Sequence, residues 1–311
     1  NDLQFAAQMG ATHVVLQSYA NAGIVPGDER WEYDDLVQLR QRVEDAGLVL
    51  EALENVPLKF YDQVMLGGPD RDRQIENMVY TVRNIARAGI PIFGYHWMPT
   101  LVGRTSLATE IRSGSRVTAF DLTQAKKDPL LMDRRYTENE MWENLEHWIK
   151  IIIPVAEEEG IRIGIHPCDP PVAELQGIPQ LFRSFEAYKR LISIVESPSN
   201  CIEFCQGTFS EMEDAKDDGI YDMIEYFGER DKILYVHFRN VSETVPSFRE
   251  EFINTGYVDM YRAMQTYKKV GFEGMFVDDH VPVVVGDSPW GHRGRAFANG
   301  YIQALMDVVE S

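Results

Sequence analysis

The chain of 311 residues is short of several things, and each shortage excludes a class of function. It has only 3 cysteines, Cys168, Cys201 and Cys205, clustered in one stretch, so they cannot frame a disulfide-stapled secreted domain. A reducing, cytoplasmic setting is expected, in which a thiol is free to act as a ligand. Positive charge is scarce: 30 Lys and Arg stand against 49 Asp and Glu, for a formal net charge of −19. That balance repels phosphate backbones and anionic bilayers, and no local basic patch offsets it, so neither a nucleic-acid nor a membrane partner is expected. No apolar run approaches the roughly 18 residues of a membrane-spanning helix, and no signal peptide is visible. No Gly-rich phosphate fingerprint follows any candidate strand, which argues against a nucleotide-binding sheet.

What is present suits small-molecule chemistry in a pocket. With 44% hydrophobic residues the chain can bury a large core, and one domain spanning 1–311 is expected. Several segments repeat an amphipathic helix, a glycine and a short β-branched run. Gly10, Gly47, Gly89, Gly160 and Gly271 sit where a helix needs a left-handed stop before a strand. The runs read as strands over 13–17, 48–54, 90–97, 162–167, 201–207, 233–240 and 273–280. They are apolar on both faces, as parallel strands covered by helices are. Helices are expected over 70–88, 137–159 and 257–270, the second opened by a capping box of Thr137 and Glu140. Strands alternating with helices predict βα units and a parallel sheet, open or closed. A (β/α)8 barrel needs eight strands where seven are counted, and residues 2–9 read as helix, so the first strand is expected before Asn1. Residues 98–136 are too long for an ordinary loop and carry Arg104, Arg112 and Arg116, so they are expected to form either a lid or a surface or oligomer-contact excursion.

In a βα barrel, functional side chains gather at the C-terminal ends of the strands. Four of the 7 histidines, His96, His166, His237 and His280, fall at or near such ends. Cys205 and Asp279 lie at equivalent places, and Glu54 ends another strand. Imidazole, thiolate and carboxylate converging from separate strands describe a divalent-metal site, with a donor mixture that suits Mn, Fe, Co or Zn better than Ca. His13, at the opposite end, and His147, inside a helix, read as structural. Cys201 reads as core, and Asp169, after His166, as a turn former or as a partner orienting His166.

The segments IHPCDPP, FCQGTF, VHFRNV and DDHVP, in this order, resemble the D-mannonate dehydratase family, whose fold is the xylose-isomerase-like TIM barrel. AGLVLEALENVP, DRDRQIEN, AGIPIFGYHWMP and IIIPVAEEEGIRIGIHP extend the likeness over nearly the whole chain. The resemblance implies metal ligands at His166, Cys205, His237 and Asp279, and a catalytic histidine at His280. It implies a substrate-binding role for Arg239, with Arg104 and His96 as further substrate-binding candidates. Three departures stand out. Val277-Asp278 replaces the family's Arg-Pro before the Asp-His pair, and His96 replaces an asparagine. Gly291-His292-Arg293 occupies the place of a Gly-Tyr segment, making His292 the candidate acid or base and Arg293 the candidate cation in its stead.

The implied reaction is metal-assisted loss of water from a sugar acid, D-mannonate or a related aldonate, giving a 2-keto-3-deoxy acid, a step of hexuronate catabolism. Mn(2+) or Fe(2+) is the expected ion, with Mg(2+), Co(2+) and Zn(2+) as alternatives, and a homo-oligomer is expected. Two other functions fit the residues: a metal-dependent isomerase or epimerase of a neutral sugar, and a catalytically silent sugar-binding relative.

Overall fold

The computed structural model describes residues 2–18 and 24–311. Behind a first helix, Asp2–Gln8, seven strands follow: β1 (His13–Gln17), β2 (Val49–Glu54), β3 (Ile92–His96), β4 (Arg162–His166), β5 (Asn200–Cys205), β6 (Ile233–His237) and β7 (Met275–Val277). They form one sheet in which each strand lies beside the next in chain order. Parallel neighbours need a crossover, and helices supply it: α1 (Tyr33–Glu44), α2 (Arg71–Arg87), α3 (Glu138–Glu159), α4 (Phe185–Ile194), α5 (Gly219–Gly228) and α6 (Met260–Lys269), with α7 (His292–Glu310) after β7. β3, β5 and β6 are buried at every position, as parallel strands covered by helices are, including the polar Asn200 and Glu203 of β5.

The local signals act as read. The Thr137 hydroxyl accepts from the Glu140 N–H at 3.2 Å while the Glu140 carboxylate accepts from the Thr137 N–H at 2.7 Å, opening α3. Gly160 closes it at φ 69°, and the other four predicted stop glycines take φ between 71° and 87°. Element ends differ where a side chain intervenes. β5 stops at Cys205 because its thiol caps the short helix Gln206–Glu211, accepting from the Thr208 N–H. α6 begins at Met260, not near 257, because Asp259 accepts from the N–H groups of Tyr261 and Arg262. β7 ends at Val277, so Asp278, Asp279 and His280 lie past the strand.

By packing, the chain falls into two compact units. One comprises Asn1–Leu101, Tyr136–His166 and Tyr188–Glu203. Its core holds the aromatic side chains of Phe93, Tyr95, Trp97 and Trp148, with the Trp148 indole N–H donating to the Tyr95 hydroxyl at 2.8 Å. The other comprises Val102–Arg135, Pro167–Ala187 and Phe204–Ser311, and stacks Phe204 on Phe209 at 4.1 Å. The long excursion belongs to this second unit as a hairpin: Ser106–Glu110 pairs antiparallel with Arg116–Asp121, which pairs in turn with Ser247–Arg249. Arg116 also exchanges two backbone hydrogen bonds with Val283, and Phe120, Val172, Leu175, Val245 and Phe248 bury the hairpin's apolar side.

Candidate metal centre and its charge network

In the first unit, Glu54, His96 and His166 end β2, β3 and β4, with His96 opposite His166 in register. Glu54 accepts from the Gln17 amide at 2.5 Å. His96 is buried, and its Nδ1 accepts from the Met98 N–H at 3.3 Å. Burial, with His166 nearby, pulls its pKa down to about 3, so the ring is neutral and can offer Nε2–H as a donor. His166 closes the unit with Nε2 3.9 Å from Glu203 Oε1.

In the second unit, three sequence-predicted ligands converge. Asp279 Oδ2 lies 4.0 Å from Cys205 Sγ and 3.8 Å from His237 Nδ1. Two donors bound to one tetrahedral ion at about 2.0–2.3 Å stand about 3.3–3.8 Å apart, so this S, N and O set fits a divalent ion with small adjustment. Arg239 Nε donates to Asp279 Oδ2 at 2.8 Å and fixes that carboxylate, as groups behind a metal ligand commonly do.

Arg239 and Arg104, the expected substrate-binding arginines, have their donors engaged within the protein. A guanidinium has five N–H donors. Arg239 spends them on Asp279, Glu211 (3.1 Å), Glu250 (2.8 Å), Asp169 (3.1 Å) and the Thr208 hydroxyl (2.9 Å). Arg104 spends its five on Thr118, the Gly103 carbonyl, both oxygens of Asp169, and Glu250 at 2.7 Å. Their side chains are 3% and 5% exposed, so neither has a donor or an open face for a ligand. Burial disfavours ionisation of Asp169 and Glu250, but the guanidinium groups outweigh it and hold both carboxyls below their usual range. Glu211 goes the other way: burial and the negative charge of Asp169 raise it well above the usual range, and its Oε2 accepts no hydrogen bond. Asp169, Glu250 and His280 present donor atoms within 4.8 Å of one another, as a metal site would. Arg104 Nη2 already sits among them, so the cation there is the guanidinium.

His280 follows Asp279 with φ at +41°, a conformation costing about 1–3 kcal/mol for a residue with a side chain. Its Nδ1 is 2.8 Å from Glu250 Oε1, and its Nε2 3.6 Å from Asp279 Oδ1. The other two predicted site residues engage their own loop. His292 meets the Ser288 hydroxyl at 2.5 Å and the Trp290 ring at 4.8 Å, and the exposed Arg293 donates to the Val285 carbonyl at 2.6 Å. A different arginine of α7, Arg295, donates to Asp278 at 3.0 Å. Glu211 and Glu250 were not anticipated: they are acids among other acids, on segments with no strand-end signal.

Comparison with known proteins follows the same lines. The sequence profile of the family described as D-mannonate dehydratase (UxuA) matches residues 2–133 and 124–311. A mannonate dehydratase of Streptococcus agalactiae is 33% identical over 92% of this chain and 89% of its own. The crystal structure of mannonate dehydratase from Streptococcus suis serotype 2 superposes with a TM-score of 0.88 at 28% identity, covering 99% of this chain and 90% of that one. A xylose-isomerase-like TIM barrel protein from Mycobacterium smegmatis, 12% identical, superposes at 0.63 over 99% of this chain and 88% of its own. The architecture is thus the xylose-isomerase-like TIM barrel.

Proposed function

The chain belongs to the D-mannonate dehydratase family, and on that premise we propose that it is a metal-dependent hydro-lyase converting D-mannonate or a closely related sugar acid to a 2-keto-3-deoxy acid. The observation that carries the reading is the meeting of Cys205 and His237 on Asp279, with His280 next in the chain. His166, Cys205, His237 and Asp279, from the ends of successive strands, would hold the ion, Mn(2+) or Fe(2+) before Mg(2+), Co(2+) or Zn(2+). Bound there, a divalent ion supplies Lewis-acid stabilisation, roughly several kcal/mol, to charge developing on the substrate's carboxylate and neighbouring oxygen.

The chain's own residues do the rest. In the reaction a base takes the C2 proton, an acid protonates the C3 hydroxyl as the C3–O bond breaks so that it leaves as water, and the resulting enol becomes the ketone. His280 is placed to move a proton at Nε2, the ring nitrogen not facing Glu250. His96, neutral and buried, can donate Nε2–H to a substrate hydroxyl without adding charge.

A second reading, isomerisation or epimerisation of a neutral sugar, is favoured by one observation: Arg104 and Arg239 have no donor left for a substrate carboxylate. The test is reconstitution with Mn(2+) under reducing conditions and supply of D-mannonate, following the 2-keto-3-deoxy acid. Product formation is expected. C2 proton exchange into solvent without product, together with interconversion of an uncharged sugar, would replace the dehydratase reading. Cys205→Ser should lower bound Mn(2+) severalfold, and unchanged metal content would remove Cys205 from the ligand set.

A further inference from the structure

We propose that Glu250 is the positioning residue for His280, binding its Nδ1–H so that Nε2 is the ring nitrogen left to exchange a proton with the substrate. The proposal rests on the reading that His280 moves a proton in this reaction and names the nitrogen that moves it.

The geometry is specific. Glu250 follows the strand Ser247–Arg249, and its N–H donates to the Thr118 carbonyl at 3.0 Å, so the backbone beneath it belongs to the antiparallel sheet. Its side chain is 1% exposed. One carboxylate oxygen accepts from Arg239 at 2.8 Å, and the other accepts from Arg104 at 2.7 Å and faces His280 Nδ1 at 2.8 Å. A carboxylate held by two buried guanidinium groups is an acceptor only, so the proton of that third bond belongs to Nδ1. Arg104 Nη2 also lies 3.3 Å from Nδ1, but both its protons are already given to Asp169 and Glu250. It cannot be the donor that would leave Nδ1 as the acceptor. With Nδ1–H given to Glu250, Nε2 is the ring nitrogen left over, and it looks toward Asp279, the candidate ligand. His280 sits in the left-handed region, where asparagine or glycine is the ordinary occupant, and its bond to Glu250 offsets that strain.

Arg104 extends the device to the hairpin. It begins the excursion that carries Ser106–Glu110 and Arg116–Asp121, so the hairpin is tied through one guanidinium to the acid behind His280.

The test compares wild type with Glu250→Gln and Glu250→Asp as Mn(2+)-loaded enzymes, and all three by nitrogen-15 histidine NMR as metal-free proteins. The wild-type His280 signal is expected to show the proton on Nδ1. In both variants this preference should be lost while bound Mn(2+) stays at the wild-type level, and kcat should fall about 100-fold with KM within about twofold. Glu250→Asp keeps the charge that balances the two arginines and so covers the case in which Glu250→Gln does not fold. A wild-type proton on Nε2, or wild-type kcat in a folded variant, overturns the proposal. If wild type forms no product from D-mannonate, the dehydratase reading fails, and the NMR result alone decides the role of Glu250.

Discussion

Arg239→Lys separates a structural arginine from a substrate-binding one. An ammonium carries three donors on one atom, whereas the guanidinium reaches from Asp279 on its Nε side to Asp169 and Thr208 on the far Nη2. The carboxylates it serves therefore lose donors at a position where its own side chain is 3% exposed. Breaking a buried ion pair from one side costs about 3–5 kcal/mol. With an unfolding entropy of about 2.1 cal/mol/K per residue, 311 residues give about 0.65 kcal/mol/K, so the melting temperature should fall by about 5–8 °C. The loss should be the same in low and high salt, because a side chain 3% exposed is not screened as surface pairs are. Differential scanning fluorimetry of the metal-free proteins, which leaves the ion out of the comparison, reads both effects. A melting temperature within about 1 °C of wild type, with a raised KM for the sugar acid, would refute the reasoning and return Arg239 to the substrate.

Further outcomes follow from the same geometry. A Cβ on Gly207 would come within 2.3–2.4 Å of Arg239 Cγ, Cζ and Nη1, so Gly207→Ala should destabilise by about 1–3 kcal/mol, seen as a lowered urea midpoint; an unshifted midpoint would mean that Arg239 yields freely. Glu211 has a raised folded-state pKa, so the stability it contributes is complete below the ordinary carboxylate range and is lost as pH rises through its folded value. Glu211→Gln stays neutral throughout, and its melting temperature relative to wild type should climb with pH; parallel curves would show that Glu211 is ionised when folded. His280→Asn, an amide that tolerates the left-handed backbone, should keep bound Mn(2+) and lose turnover by at least about 100-fold, and surviving activity would exclude His280 from proton transfer.

The parts of the molecule legible from sequence are those set by short-range rules. The Thr137 capping box and the five glycine stops each follow from a few adjacent residues and appear where expected, whereas burial on both faces holds for β3, β5 and β6 but not for β1 and β7, which contain no buried residue. Strand-end reasoning also selected Cys205, His237 and Asp279, because alternate chain segments ending at one level carry unusual residue types there. The charge network was not legible for the converse reason. Arg104, Asp169, Glu211, Arg239 and Glu250 come from five separated segments, and in a chain with 49 acids no single carboxylate stands out. Their significance lies in which donors are filled, a property of coordinates alone. The saturation of Arg239 and Arg104 was hidden for the same reason, since an arginine facing a site and one spent behind it have the same sequence.

The departure at Val277-Asp278 shows how a substitution in sequence differs from a change in space. Read along the chain, an acid stands beside Asp279 where the resembling family carries an arginine, and local charge is altered unfavourably. In the structure Arg295 of α7 donates to Asp278 at 3.0 Å and lies over the Trp290 ring at 4.6 Å, so a guanidinium is again next to this segment, supplied from another element. Burial raises the Asp278 pKa and Arg295 partly offsets it, which is how two adjacent carboxyls can share one loop. The cation is therefore displaced and tethered, and unlike Arg104 and Arg239 it remains part-exposed, at 22%.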